Sequence, residues 1–500
     1  MAARSPNDII GWIEDIVSRD PSRPSLEREC GAALSYAMLL TDVELWASWL
    51  IACGVAPGDR VVALIEKSPD AITLYLACLW VGAVFMPLNV DYTAPEIAYF
   101  LDDAEPALCV VDTAFQAKMP PGTRVETLDA TGRGSLINVA VLGIGPRRRF
   151  DGEAPAAMLY TSGTTGKPKG AILSRAALAS NALALATAWH FSADDVLLHA
   201  LPLFHVHGLF VATNTVLAVG ASMLLLPRFE SDMVLASLPR STIFMGVPTF
   251  YTRLLQHPDR LQEASLNMRL FISGSAPLLA ETHQTFQDVT GHAIIERYGM
   301  TETLINTTNP HAGDRIAGTV GPALPGVQVR VTDPVGGAPL PDGSIGMIEV
   351  KGPNLFSGYW RNPEKTAQDF RPDGYFITGD LGLIDPAGYV QIVGRGKDLI
   401  ITGGLNVYPK EIETVVNALD GVVECAVIGV PHPDFGEAVV AIVMAEPDAD
   451  QTGWQSGIDA ALAKFKRPKH IEIVTDLPRN TMGKVQKNLL RDRFGDLFVG

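Results

Sequence analysis

The run Tyr160-Thr161-Ser162-Gly163-Thr164-Thr165-Gly166-Lys167-Pro168-Lys169-Gly170 constrains this chain more than any other stretch. Apolar Ala-Ala-Met-Leu precedes it and Ala-Ile-Leu follows it, which predicts two short buried strands joined by a flexible turn. Glycines let a backbone turn its N–H groups onto a ligand, hydroxyls add donors, and lysines add positive charge. The combination suits a polyphosphate. The phosphate-loop pattern, Gly-x-x-x-x-Gly-Lys followed by Ser or Thr, is not met: Pro168 follows Lys167, and proline donates no hydrogen bond. A solvated glycine-rich linker is the alternative, so the rest of the chain must decide.

Ahead of the loop, helical and strand patterns alternate: helix 42–53, strand 60–65, helix 69–81, strand 83–88, helix 95–102, strand 107–111. That alternation predicts an open α/β sheet. The pattern resumes after the loop with helix 175–190 and strands 196–201, 221–226, 242–245 and 270–273. From about 318 to 394 the texture changes to short strands (327–331, 348–351, 389–393) between Pro, Gly and Asp turns, which predicts a small β-rich subdomain. The last hundred residues read as an α+β domain with helices near 409–419 and 457–463 and strands 424–429, 438–443 and 471–474. A chain of 500 residues exceeds one core. The expectation is an α/β protein with a large N-terminal domain, 1–396, and a small mobile α+β domain, 397–500, jointed near Gly403-Gly404.

With 39 Lys and Arg against 55 Asp and Glu, the net charge of −16 argues against a broad basic footprint for nucleic acid. Cys30, Cys53, Cys78, Cys109 and Cys425 are scattered with no Cys-x-x-Cys pair, which argues for reduced thiols in a cytoplasm and against a disulfide framework or metal cluster. Acidic and polar Asn7, Asp8, Glu14 and Asp15 break up any secretory core. The uncharged stretches 72–88 and 209–226 read as buried helices running into buried strands, not membrane spans. Arg147-Arg148-Arg149 reads as a solvated run.

Several stretches carry chemistry. His205 and His207 flank Val206 with no Cys or Glu partner at metal-ligand spacing, so the wall of a polar ligand pocket suits them, with structural hydrogen bonding as the alternative. In Glu296-Arg297-Tyr298-Gly299-Met300-Thr301-Glu302 a strand breaks into aromatic, glycine, hydroxyl and acid, as ligand loops do. Further on stand Thr378-Gly379-Asp380, Gly394-Arg395-Gly396-Lys397-Asp398 and Gly483-Lys484, each a polar turn that means little alone.

Taken in order, 161–170, 298–302, 378–380, 394–398 with Gly403-Gly404, and Gly483-Lys484 resemble the adenylate-forming superfamily of acyl-CoA synthetases, peptide-synthetase adenylation domains and luciferases. The likeness spans essentially the whole chain. Within the superfamily the segments 296–303 and 204–208 are most similar to the malonyl-CoA synthetases. The resemblance implies two steps: a carboxylate attacks the α-phosphate of ATP, releasing pyrophosphate, and the coenzyme A thiol then displaces AMP. One anion must approach another, so positioning and charge neutralisation are expected to dominate.

The resemblance also implies roles. Thr161, Ser162, Gly163, Thr164, Thr165, Gly166 and Lys169 cradle the β- and γ-phosphates. Glu302, with Thr161, holds Mg²⁺, which favours oxygen ligands, and Thr301 meets the α-phosphate. Tyr298 lies against adenine with Ser275-Ala276-Pro277 opposite, and Glu296, Arg297, Gly299 and Met300 complete the nucleotide segment. Asp380 and Arg395 hold the ribose hydroxyls. Lys484 bridges the substrate carboxylate and the α-phosphate, and His205 joins it in the catalytic set. Lys397 is the hinge on which the C-terminal domain turns, bringing Gly403 and Gly404 towards coenzyme A.

A malonate-like acid keeps a second carboxylate charged in its pocket, so a cation must meet it there. Arg297, whose planar fork suits a carboxylate, is the first choice, with His207, Ser273 and Arg228 as further acid-binding candidates. A salt bridge from Arg297 to Glu296 or a distant acid is the structural alternative. Other short acids, methylmalonate among them, and a carrier protein in place of coenzyme A remain open, although no carrier domain follows Lys484. A protein lysine acetyltransferase acting on Lys484 is a conceivable partner, because neutralising that charge would block adenylation.

Overall fold

Ser68 and Pro69 start the helix Pro69–Val81: the serine hydroxyl accepts the Ala71 N–H at 3.1 Å, and proline occupies a position that needs no donor. Gly82 ends it in the left-handed region at φ +83°, where an added Cβ would lie 2.3 Å from the Phe150 ring. The chain then enters the buried strand Val84–Pro87. The uncharged stretch 72–88 is therefore a core helix and strand, and among the described residues no helix is long and apolar enough to cross a membrane. Those residues, in a computed structural model of the protein, are 8–28, 33–135, 147–161, 168–334, 336–402, 405–480 and 483–498.

The chain divides into two units, the first comprising Met1–Gln328 with Val350–Phe376, the second Val329–Glu349 with Ile377–Gly500. The expected boundary at 396/397 falls inside the second unit, because two pieces of the β-rich segment, 329–349 and 377–394, group with the C-terminal residues.

In the first unit the described residues form two sheets. One orders its strands Gly358–Tyr359, Lys169–Ser174, Pro155–Thr161, Val84–Pro87, Arg60–Leu64, Leu108–Val111, Val125–Thr127. The glycine-rich loop joins its antiparallel neighbours Pro155–Thr161 and Lys169–Ser174, with Thr161 opposite Lys169. The other runs Leu304–Thr308, Ile295–Met300, Leu270–Ser273, Ile243–Gly246, Val196–His199, Ser222–Leu225, Pro24–Arg28, Ala33–Ser35, and is parallel from Ile295–Met300 to Pro24–Arg28. Open parallel sheets present ligands at the carboxyl ends of their strands.

The second unit holds most of a sheet of Gln328–Thr332, Gly346–Lys351, Phe376–Ile384 and Val390–Arg395. It also holds a mostly antiparallel sheet centred on Val422–His432 and Gly436–Ala445. Trp454, Ile412 and Val416 pack on one face of the latter, Leu490 and Phe494 on the other.

Most expected elements form within a few residues of their predicted ends. Helices Ile9–Arg19 and Lys487–Phe494 and strand Phe376–Ile384 were not anticipated. The Arg147 expectation is corrected: its side chain is 8 % exposed, paired with Asp8 and Glu14, and lies over the Trp80 ring. The acids that made the N-terminus look merely polar thus tie a buried helix to the core. Cys53, Cys78, Cys109 and Cys425 are buried free thiols.

Candidate functional site

The strand Ile295–Met300 turns back on Leu304–Thr308 in a tight hairpin with a register shift after Tyr298. Gly299 allows the closure, since a Cβ there would lie 1.8 Å from the Leu304 carbonyl oxygen. Leu304 takes φ +52°, a left-handed conformation that non-glycine residues adopt at a cost. The turn presents Thr301, half-buried, and Glu302, buried, while Tyr298 is buried in the strand.

Glu302 accepts the Tyr359 hydroxyl at 3.1 Å, and its backbone carbonyl accepts the Phe356 N–H. Burial and then the Glu302 carboxylate push the Tyr359 phenol above its usual range. The Lys169 ammonium lies over the same ring, 5.4 Å from its centroid. Tyr359, which no motif pointed out, thus links the loop's second strand to the acidic turn. Thr161 ends the strand opposite Lys169. Ser162, Gly163, Thr164, Thr165 and Gly166 lie outside the described residues, as do Gly403 and Gly404.

A buried carboxylate beside a lysine fits one end of a magnesium–triphosphate complex, in which phosphates and waters supply most ligands. Among the described residues no cluster of three metal-ligating side chains competes with that mode.

A second grouping surrounds Arg297. Residues alternate across a strand, so Glu296 and Arg297 face opposite ways. The Glu296 carboxylate accepts the Gly318 N–H at 3.0 Å and pairs with His283 at 3.3 Å, so it serves the fold on the far face. The expected alternative, a Glu296–Arg297 salt bridge, does not form. Arg297 is 6 % exposed, and its Nε and Nη2 have no hydrogen-bond partner among the described residues. Burial pushes the guanidinium down to about 9, with Tyr251 opposing, so it remains a cation at neutral pH. Its Cζ would be 2.4 Å from a Cβ at Gly274. Only glycine seats it there.

Neighbouring polar atoms are likewise unpartnered. Ser273 Oγ and His207 Nε2 are buried and have no partner among the described residues. Ser275 Oγ lies 3.3 Å from His207 Nδ1, and Ser275 takes φ +71° where strand Leu270–Ser273 ends. His205 Nδ1 accepts the His207 N–H at 3.2 Å. Burial, then Arg297, lowers both imidazoles, His205 to about 4 and His207 well below its ordinary value. Both are neutral near pH 7. Arg297, His207, Ser273 and Ser275 therefore converge at strand ends. Arg228 differs: its side chain is 79 % exposed and paired with Glu230. Ala276 is half-buried and Pro277 exposed.

In the second unit, Asp380 and Arg395 sit opposite one another on paired strands, Nε to Oδ1 at 2.8 Å. Gly379, at φ +73°, leaves open space over the turn before Asp380. Burial lowers the Lys397 ammonium. Lys484 is exposed at a turn in which Asn480 Oδ1 accepts its N–H at 3.0 Å. Although the residue reaches solvent, protein crowded about its ammonium, then Arg395, pushes it down to about 8, with Asp380 opposing.

The description AMP-binding enzyme matches residues 13–360, and AMP-binding enzyme C-terminal domain matches 411–484. The chain belongs to the AMP-binding enzyme family. ATP-bound MatB from Rhodopseudomonas palustris is 54% identical, with 98% of this chain and 99% of that one covered and a TM-score of 0.93. The feruloyl-CoA synthase of an Amycolatopsis species is 36% identical over 94% of this chain and 95% of its own length. The malonate–CoA ligase of Arabidopsis thaliana is 34% identical over 88% of this chain and 78% of its own length. This AMP-binding enzyme is an acyl-CoA ligase with the adenylate-forming fold. Family membership leaves the acid open, since the relatives are named for unlike acids.

Proposed function

We propose that this ligase is a malonyl-CoA synthetase, converting malonate, ATP and coenzyme A into malonyl-CoA, AMP and pyrophosphate. One observation carries the reading: the buried Arg297 guanidinium with two unpartnered N–H groups, seated on Gly274 beside His207 and Ser273. Each buried donor left unpaired costs roughly 1–3 kcal/mol. A small acid with a second carboxylate relieves that cost, and a hydrocarbon or aromatic tail does not.

His207 and Ser275 add neutral hydrogen-bonding groups that orient such an acid without repelling the cation. The acid's other carboxylate then attacks the α-phosphate, forming a malonyl-adenylate, and the coenzyme A thiol displaces AMP from the acyl carbon. Lys169 neutralises phosphate charge beside Tyr359, and Thr301 lies on the turn that meets the α-phosphate. Glu302 holds Mg²⁺, whose role is to neutralise charge on the triphosphate. Asp380 and Arg395 accept and donate to the ribose hydroxyls, and Lys484 supplies positive charge to the reacting carboxylate and phosphate. We assign Lys397 as the hinge for the turn between half-reactions.

The test is pyrophosphate release across short mono- and dicarboxylic acids and ferulate. Malonate is expected to give the highest kcat/KM, with methylmalonate next. A preference for butyrate or ferulate overturns the reading.

A further inference from the structure

A chain of polar contacts outside these assignments crosses between the two sheets of the first unit. Lys67 follows the strand Arg60–Leu64, and His199 ends the strand Val196–His199, 132 residues later. The Lys67 side-chain nitrogen, whose pKa burial holds well below the usual lysine value, lies 2.7 Å from the His199 carbonyl oxygen and 3.0 Å from His199 Nδ1. On the other side of the ring, Nε2 lies 2.9 Å from the Gly208 carbonyl oxygen. Thr213 donates its hydroxyl to that same carbonyl at 3.0 Å.

These contacts settle the proton arrangement. A carbonyl only accepts, so Nε2 carries the hydrogen. Burial, then Lys67, holds the imidazole well below its ordinary pKa, so the ring is neutral and Nδ1 is bare. Nδ1 therefore accepts from Lys67. The lysine fixes the tautomer, and the tautomer fixes the donor that grips Gly208.

Gly208 lies in the first turn of the π-helical segment His207–Thr213, directly after His207. Such turns are strained and often sit at functional sites. Its backbone is also pinned from outside, since a Cβ there would lie 2.0 Å from the Pro202 carbonyl oxygen. His207 is electrostatically coupled to His199 and, more strongly, to Arg297. Lys67, His199, His207 and Arg297 thus follow one another from the joint of the sheets to the unpaired guanidinium.

We propose that Lys67 and His199 are positioning residues for acid selectivity: Lys67 sets the His199 tautomer, His199 clamps the Gly208 carbonyl, and the clamp holds His207 beside Arg297. The proposal rests on the reading of Arg297 and His207 as the seat of the acid's second carboxylate.

The test uses the full chain, with pyrophosphate release measured on malonate and on butyrate for Lys67→Met, His199→Leu, the double variant and His199→Gln. Each single variant is expected to raise KM for malonate about tenfold with kcat within about twofold, while KM for butyrate stays within about twofold. The double variant is expected to match the singles, because both break one relay. His199→Gln, whose amide can accept from Lys67 and donate to Gly208, is expected to keep the wild-type KM. Equal losses on both acids, additive losses in the double variant, or a loss in Lys67→Met that His199→Leu lacks would overturn the proposal. Should thermal melting find His199→Leu unfolded, Lys67→Met and His199→Gln decide it. If the wild-type protein does not prefer malonate, the substrate reading fails first. If it does and the variants keep that preference, only the positioning role fails.

Discussion

Two arginines on two strands receive opposite treatment. Arg395 stands across a sheet from Asp380 and pairs with it at 2.8 Å, its side chain 27 % exposed. Arg297 is deeply buried, with Nε and Nη2 unpartnered among the described residues. A paired arginine lowers the cost of the acid it meets, and the fold gains from keeping both. An unpaired buried arginine only costs stability, so its benefit must come from a ligand. The contrast separates an arginine that holds structure from one that, on the proposed reading, is kept for the acid.

The sharpest break would come from Arg297→Leu. Its kcat/KM for malonate is expected to fall by roughly 10²–10³, about 3–4 kcal/mol, while butyrate is little affected. Its Tm without ligand is expected to stay level or rise, because an uncompensated charge is removed. A drop in Tm with equal losses on both acids would mean that Arg297 is structural.

Arg395→Leu is expected to behave the other way. It removes the Arg395 partner of the buried Asp380 carboxylate, at about 2–3 kcal/mol, less than a fully buried pair because Arg395 reaches solvent. Thermal melting should record that loss, with a raised KM for ATP and an unchanged preference among acids. A Tm equal to wild type would erase the contrast.

The smallest effect concerns pH. Lys484, pushed down to about 8, is an ammonium below that pH and a neutral amine above it. On this assignment kcat/KM for pyrophosphate release is level below pH 8 and falls about tenfold per unit above it. Thioester formation from supplied malonyl-adenylate should lack this limb. A limb that survives in Lys484→Ala would belong to another group.

Much of the fold was legible because local periodicity matches burial. The uncharged 72–88 stretch is a buried helix and strand because nothing in it needs water, and Ser68, Pro69 and Gly82 mark the helix ends. Helix Ile9–Arg19, whose Ile9, Ile13 and Ile16 are buried, was weighed in the sequence only against a secretory core, and the pairing of Asp8 and Glu14 with Arg147 is a tertiary contact. At the site, Glu302 and Lys169 stood out in the sequence, but Tyr359 between them did not. Its role comes from a strand pairing with Ala171 across 188 residues of chain.

By itself the sequence determined the reaction class. Turns of glycine, hydroxyl and charge are local devices that mean little singly, and their order along the chain carries the resemblance to the adenylate-forming enzymes. The tertiary structure decided which candidate cation is buried with unpartnered donors among the described residues. Arg297 lies next to Glu296 in the chain yet faces away from it, and Arg228, a further candidate in sequence, is exposed beside Glu230. Pairing depends on strand faces and on groups such as Gly274, His207 and Ser273 that arrive from other strand ends, and no local pattern records those meetings.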